Sequence, residues 1–184
     1  MSHLPAAASE VARPALSDVL QLELRGVDGE YRSIASLAGD RATVVIFLGN
    51  GCPTVRAYEE RLEALQSTRY DDGVRIVAFN SNNPHLSPPD TFPAMVKRAS
   101  GGNFSFPYLK DDQGKVAKGF GAVCTPNAFV LDRDLNVVYR GRIDDSRLGD
   151  RISRRDLENA VADEVAGRPV AVRSTDPFGC SIVW

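Results

Sequence analysis

FLGNGCPTVRAYEERL, Phe47 to Leu62, is the stretch on which the fold turns. It completes TVVIFLG, Thr43 to Gly49, a β-branched and aromatic run with no apolar–polar alternation, as in a central strand buried on both faces. The run breaks at Gly49-Asn50-Gly51, one cysteine follows, and Pro53 then stands at a helix's first position, where the missing N–H costs nothing. Val55, Tyr58, Leu62 and Leu65 recur at helical spacing from there. Gly73 ends the helix, and VRIVAFN, Val74 to Asn80, reads as a second buried strand. Strand, helix and strand with short connections make a right-handed βαβ unit with parallel strands.

On the amino-terminal side, VLQLELRGVDGEYRSI reads as a strand, an Asp28-Gly29 turn and a short strand, a β-hairpin. On the other side come the proline-rich loop SNNPHLSPPD, a helix from Phe92 to Ala99, the extended piece FSFPYL and a short helix KVAKGFG. NAFVLD and NVVYRG, joined by Arg133-Asp134-Leu135, read as an antiparallel hairpin. Ser153 is the expected cap of a last amphipathic helix carrying Leu157, Ala160, Val161 and Val165. The expected division is a flexible arm over 1–15, one α/β domain over 16–166 and a carboxyl-terminal tail over 167–184 with little periodicity.

Composition agrees with one globular domain: 184 residues, 43% hydrophobic, are enough to bury a core. A net charge of −2 and a pI near 5.7 give no electrostatic footprint for nucleic acid or a membrane surface. No apolar run approaches the about 20 residues needed to span a bilayer. The opening MSHLPAAASEVARPALSD is broken by Pro5, Glu10, Arg13 and Pro14 and lacks a signal-peptide core, so a cytoplasmic protein is expected. Cys52, Cys124 and Cys180 are an odd number, which argues against a permanent disulfide framework and for thiols at rest.

Cys52 is the candidate nucleophile. At the end of a parallel strand and the start of a helix, a sulfur meets unpaired N–H groups and the positive end of the helix dipole, and both favour the thiolate. A free cysteine is often just a small buried hydrophobe. Gly51 and Pro53 flank this one in a polar loop, which favours the reactive reading.

The element order βαβ, α, ββ, α, the loop FLGNGCPTVR, and Cys124-Thr125-Pro126, standing where thioredoxins carry a cis-proline before a hairpin, bear a resemblance. With FPYLKDDQGKVAKGFGAVCTPNAFVLDRDLNVVYRGRIDD and the terminal GCSIVW, the chain from about Leu20 onward is similar to the peroxiredoxin-like (redoxin) branch of the thioredoxin superfamily. The resemblance implies a thioredoxin-like fold: a central mixed β-sheet with flanking helices, an amino-terminal β-hairpin and a carboxyl-terminal tail. It implies an enzyme of disulfide exchange or hydroperoxide reduction that needs no cofactor or metal. Its partners would be a thiol reductant, a disulfide partner protein or a hydroperoxide.

Two departures from that pattern matter. Val55 stands where a thioredoxin has its second cysteine, so no C-x-x-C switch is present. The P-x-x-x-T/S-x-x-C pattern of peroxiredoxins is also absent, with Val45 and Gly49 at its proline and hydroxyl positions. The partner of Cys52 is then Cys124, Cys180 or an outside thiol. The topology of the fold brings the start of the strand after Pro126 beside the end of Thr43–Gly49, so Cys124 is expected to pair in preference to Cys180. Arg142, at the end of the hairpin, is the expected cation beside the thiolate. Asn50, Gly51, Pro53, Thr54, Thr125 and Pro126 are expected to line the substrate cleft, Thr125–Pro126 as a cis bond that presents backbone to an extended peptide. Two other classes stand beside this one. Cys52, Cys124, Cys180 and His85 could gather around Cu(I) or Zn(II), or the cleft by Pro126 could hold a peptide with no redox step.

Overall fold

The structure is a computed structural model that describes residues 14–102 and 104–184. The expected 1–15 arm falls almost wholly outside the described residues. In chain order the elements are α1 Leu16–Gln21, β1 Leu24–Arg25, β2 Tyr31–Arg32, β3 Ala42–Phe47, α2 Pro53–Arg69, β4 Val74–Asn80, α3 Phe92–Ala99, β5 Tyr108–Lys110, α4 Lys115–Phe120, β6 Cys124–Thr125, β7 Asn127–Leu131, β8 Val137–Gly141, α5 Asp156–Val165 and β9 Cys180–Ser181.

The central sheet runs β5-β4-β3-β7-β8, with β3, β4 and β5 parallel and β7 and β8 antiparallel to their neighbours. Every residue of β3 is buried, and their alternation divides the core. Val44 and Ile46 pack with Tyr58 and Leu62 of α2 and Leu157 and Val161 of α5. Val45 and Phe47 face α1 and α4, where Phe47 meets Phe79, Phe120 and Phe129. This is the thioredoxin-like α/β architecture, a mixed sheet between helices. Among the described residues no helix is long and apolar enough to cross a membrane.

Three local expectations need correction. VLQ, expected in a strand, closes α1 instead. Val19 and Leu20 are buried with Leu16 against α4, where Gly119 leaves room that an added Cβ would take, 2.9 Å from a Val19 methyl. The hairpin keeps only its β1–β2 part, Leu24 opposite Arg32. Ser153 does not cap α5: its hydroxyl and N–H bond the Asp145 carboxylate, and the helix begins later, after Arg155.

The tail is the largest difference. It runs beside β8 at Ser174, where Thr175 donates its N–H to Arg140 O, then crosses the end of the sheet. There β9 pairs antiparallel with β6, Cys124 opposite Ser181 and Thr125 opposite Cys180.

Candidate active site

Cys52 is the N-cap of α2, in extended conformation with Pro53 behind it at the first helical position. Its side chain is 4% exposed. The Cys52 Sγ lies 2.7 Å from Cys180 Sγ and 3.1 Å from the Thr125 carbonyl oxygen. Burial pushes the Cys52 thiol up, but a hydrogen bond from Cys180, the N–H groups of Val55 and Cys180 and the Thr125 hydroxyl outweigh it, and the net direction is down. The Thr125 carbonyl works against them, since it accepts from the thiol and not from the thiolate. Burial holds Cys180 up at about 11, helped by its bond to Cys52 and opposed by the Thr54 N–H and the Arg147 charge. The first-turn amides of α2 thus serve both sulfurs.

The tail is held in this place by close fits. Gly179 approaches Thr125 so closely that an added Cβ would lie 2.1 Å from Thr125 O. Ile182 N–H donates to Val123 O at 3.2 Å, and its side chain is buried with the α1–α4 core. On the far side, Asn83 N–H donates to Val183 O at 2.7 Å, and Val183 N–H to Asn82 Oδ1 at 2.9 Å. Phe178 packs on Tyr58, and Trp184 covers Gly114 under Lys118. The Thr125–Pro126 bond is cis, and β9 lies against Thr125 as an extended peptide would.

Cys124 is not brought to Cys52 in the expected way. Successive residues of a strand point to opposite faces, so with Thr125 on the Cys52 side, Cys124 turns away. Its buried thiol donates to Pro126 O at 3.6 Å, and burial raises it to about 11, with the Cys52 charge adding to the effect. Cys180, directly opposite Thr125, shares Thr125's face. The sequence points to the right end of the sheet, but the thiol that lies beside Cys52 there is that of Cys180.

Arg142 is also elsewhere. Its Nε donates to Asp156 Oδ2 at 2.7 Å at the start of α5, and its backbone N–H goes to Thr175 Oγ1. It holds the turn after β8 and the tail. The arginine whose charge reaches Cys52 is Arg98, in the last turn of α3. It donates to Asn50 O at 3.0 Å and pairs with Glu59. Two basic residues at a helix end are an ordinary pattern, so no local signal singled it out.

Of the expected cleft residues, Thr54 is buried at the helix start, while Gly51 and Pro53 are exposed. Asn50 is spent on holding its loop: Nδ2 donates to Pro89 O at 2.8 Å and Oδ1 accepts from Tyr108 at 2.9 Å. Gly49, at the peroxiredoxin hydroxyl position, has no space for a side chain, because a Cβ would lie 2.9 Å from Asn82 Nδ2 and 3.1 Å from Thr125 Oγ1. His85 is in an exposed loop, and among the described residues no group of three or more His, Cys, Asp or Glu is placed to hold a metal ion.

Comparison with known proteins agrees with the architecture. The Redoxin family model matches residues 6–161, and the chain belongs to that family. Among solved structures it is similar to an uncharacterized conserved protein from Geobacillus kaustophilus, at 37% identity and TM-score 0.84, over 90% of this chain and 89% of that one. A hypothetical protein from Sinorhizobium meliloti 1021 is similar at 32% identity and TM-score 0.83, over 90% and 92%. A secreted Mycobacterium tuberculosis disulfide oxidoreductase homologous to E. coli DsbE shares the fold, at 20% identity and TM-score 0.54 over 65% and 82%. No curated protein matches the chain. Cys180 lies beyond the segment that the family model matches.

Proposed function

We propose that the protein is a thiol oxidoreductase whose working pair is Cys52 and Cys180. The 2.7 Å approach of the two sulfurs, with the helix-start amides aimed at them, carries the reading. Cys52 is the nucleophile because its environment favours the thiolate, whereas Cys180 is held as a thiol ready to donate or condense. The oxidant is a small hydroperoxide. Cys52 is nearly enclosed, and β9 occupies the place beside Thr125 where an extended polypeptide would otherwise lie.

In the proposed cycle the Cys52 thiolate attacks the terminal peroxide oxygen. The O–O bond breaks, the alkoxide leaves and takes a proton, and Cys52 becomes a sulfenic acid. Cys180 sulfur then attacks Cys52 sulfur; water leaves with the Cys180 proton, and a Cys52–Cys180 disulfide remains. Two equivalents of an outside thiol return the dithiol and are themselves oxidised to a disulfide. With no threonine at position 49, the Val55 and Cys180 N–H groups and the Thr125 hydroxyl are the donors near the reacting sulfur.

Reductant-coupled consumption of hydrogen peroxide tests this. Cys52→Ser should abolish turnover, and Cys124→Ser should retain it. Cys180→Ser should accumulate a sulfenic acid that dimedone traps. Wild-type turnover in Cys52→Ser would remove the assignment. A wild type inert to peroxide that forms the same disulfide with glutathione disulfide would move the oxidant to disulfides and keep the pair.

A further inference from the structure

The loop after β4 contains a buried carboxylate that the cycle above does not use. Asp90 is 1% exposed, and its two oxygens take all their donors from the protein. Oδ1 accepts the Asn50 N–H at 2.6 Å and Asn80 Nδ2 at 2.7 Å. Oδ2 accepts Asn82 Nδ2 at 2.9 Å and Ser87 Oγ at 2.5 Å. Lys110, itself buried, donates to Asn80 Oδ1 at 3.2 Å and to Asn82 O at 2.7 Å, so the cluster includes a compensating cation.

Two of these bonds lead to the two sulfurs. Asn50 belongs to the turn that ends in Cys52. Its N–H on Asp90, with its side chain on Pro89 and Tyr108, fixes the loop from which the cysteine projects. Asn82 leads to the tail. Because its Nδ2 is spent on Asp90, its Oδ1 must face the other way, where it accepts the Val183 N–H at 2.9 Å just downstream of Cys180. An amide can present only one end to each side.

We propose that Asp90 is a positioning residue for the redox pair, fixing the Cys52 loop through Asn50 and the Cys180 strand through the orientation of Asn82. The inference rests on the reading that Cys52 and Cys180 exchange. A carboxylate is required because it accepts from every side and donates to none. An asparagine at 90 has one acceptor and one NH2 group. Either the Asn50 N–H faces a donor, or Asn82 turns over and sets its own NH2 against the Val183 N–H. Both outcomes loosen one sulfur relative to the other and lower the effective concentration of Cys180 at Cys52.

The test is the equilibrium of the pair in glutathione buffers, in which the dithiol and one glutathione disulfide give the protein disulfide and two glutathione thiols. The fraction oxidised is read by mass spectrometry in wild type, Asp90→Asn, Asn82→Ala and the double variant, with circular dichroism and a melting curve for each. The equilibrium constant should fall about tenfold in Asp90→Asn and fall also in Asn82→Ala. The double variant should fall by less than the product of the two single effects, because Asp90 and Asn82 share one hydrogen bond. A purely structural role would lower the melting temperature and leave the exchange constant unchanged, and that result in the folded variants overturns the proposal. If Asp90→Asn does not fold, Asn82→Ala alone decides: an unchanged constant overturns the proposal. A wild type that forms no Cys52–Cys180 disulfide in any buffer overturns the functional reading itself, and the proposal with it.

Discussion

At Cys52, burial and hydrogen bonding pull the thiol in opposite directions, and the donors prevail. Site-resolved alkylation against pH should therefore show Cys52 titrating below the ordinary thiol range, with Cys124 and Cys180 far above it, near 11. The inflection and not the rate is the readout, because 4% exposure slows reagent access whatever the charge. In Cys180→Ala one donor to the thiolate is lost, so the Cys52 inflection should move up and its reactivity at neutral pH should fall. An unchanged inflection would contradict the account of its acidity. The place of Cys52 at the start of a helix was legible in the sequence because strand end, glycine turn and Pro53 are all local signals. Arg98 and Asp90 were not, since their positions depend on where α3 and the loop before it pack.

The β6–β9 pair is the element that assembles the site, and Gly179 is the residue that permits it. Its φ is unremarkable; the requirement is space, with Thr125 O where a side chain would begin. Gly179→Val should displace the strand while the five-stranded sheet persists. Far-UV circular dichroism should be nearly unchanged, mild oxidation should no longer yield the Cys52–Cys180 disulfide, and a bulky maleimide should reach Cys52 faster. Ile182→Ala should weaken docking through lost burial, by about 2–5 kcal/mol for a buried aliphatic truncation, and should act in the same direction. Disulfide yield and maleimide rate equal to wild type in Gly179→Val would contradict the role given to β9. Long elements such as β3, α2 and β4 were readable because their patterns repeat. The strands β6 and β9 are too short to have a period, and their pairing joins distant segments, so alternation could be applied only after the register was known.

At the scale of the whole molecule, the tail closes the chain onto the end of the sheet, and oxidation would link positions 128 apart in sequence. A bridge across so long a loop restricts the unfolded chain, and about 2–4 kcal/mol is the usual gain. For a protein of this size that corresponds to a melting temperature about 4–16 °C higher in the oxidised form, which calorimetry of the two forms would read; equal midpoints would count against the bridge. The thioredoxin-like architecture was legible from the βαβ unit and the hairpin, because buried strands and their short connections admit few topologies. The tail's destination was not, since nothing periodic in it points to a partner. The most direct test is therefore non-reducing peptide mapping of the wild-type protein after stoichiometric hydrogen peroxide. The account predicts a single intramolecular link between the peptides that contain Cys52 and Cys180, with Cys124 still a free thiol. A Cys52–Cys124 link, or Cys52 left unpaired beside a free Cys180, would contradict it.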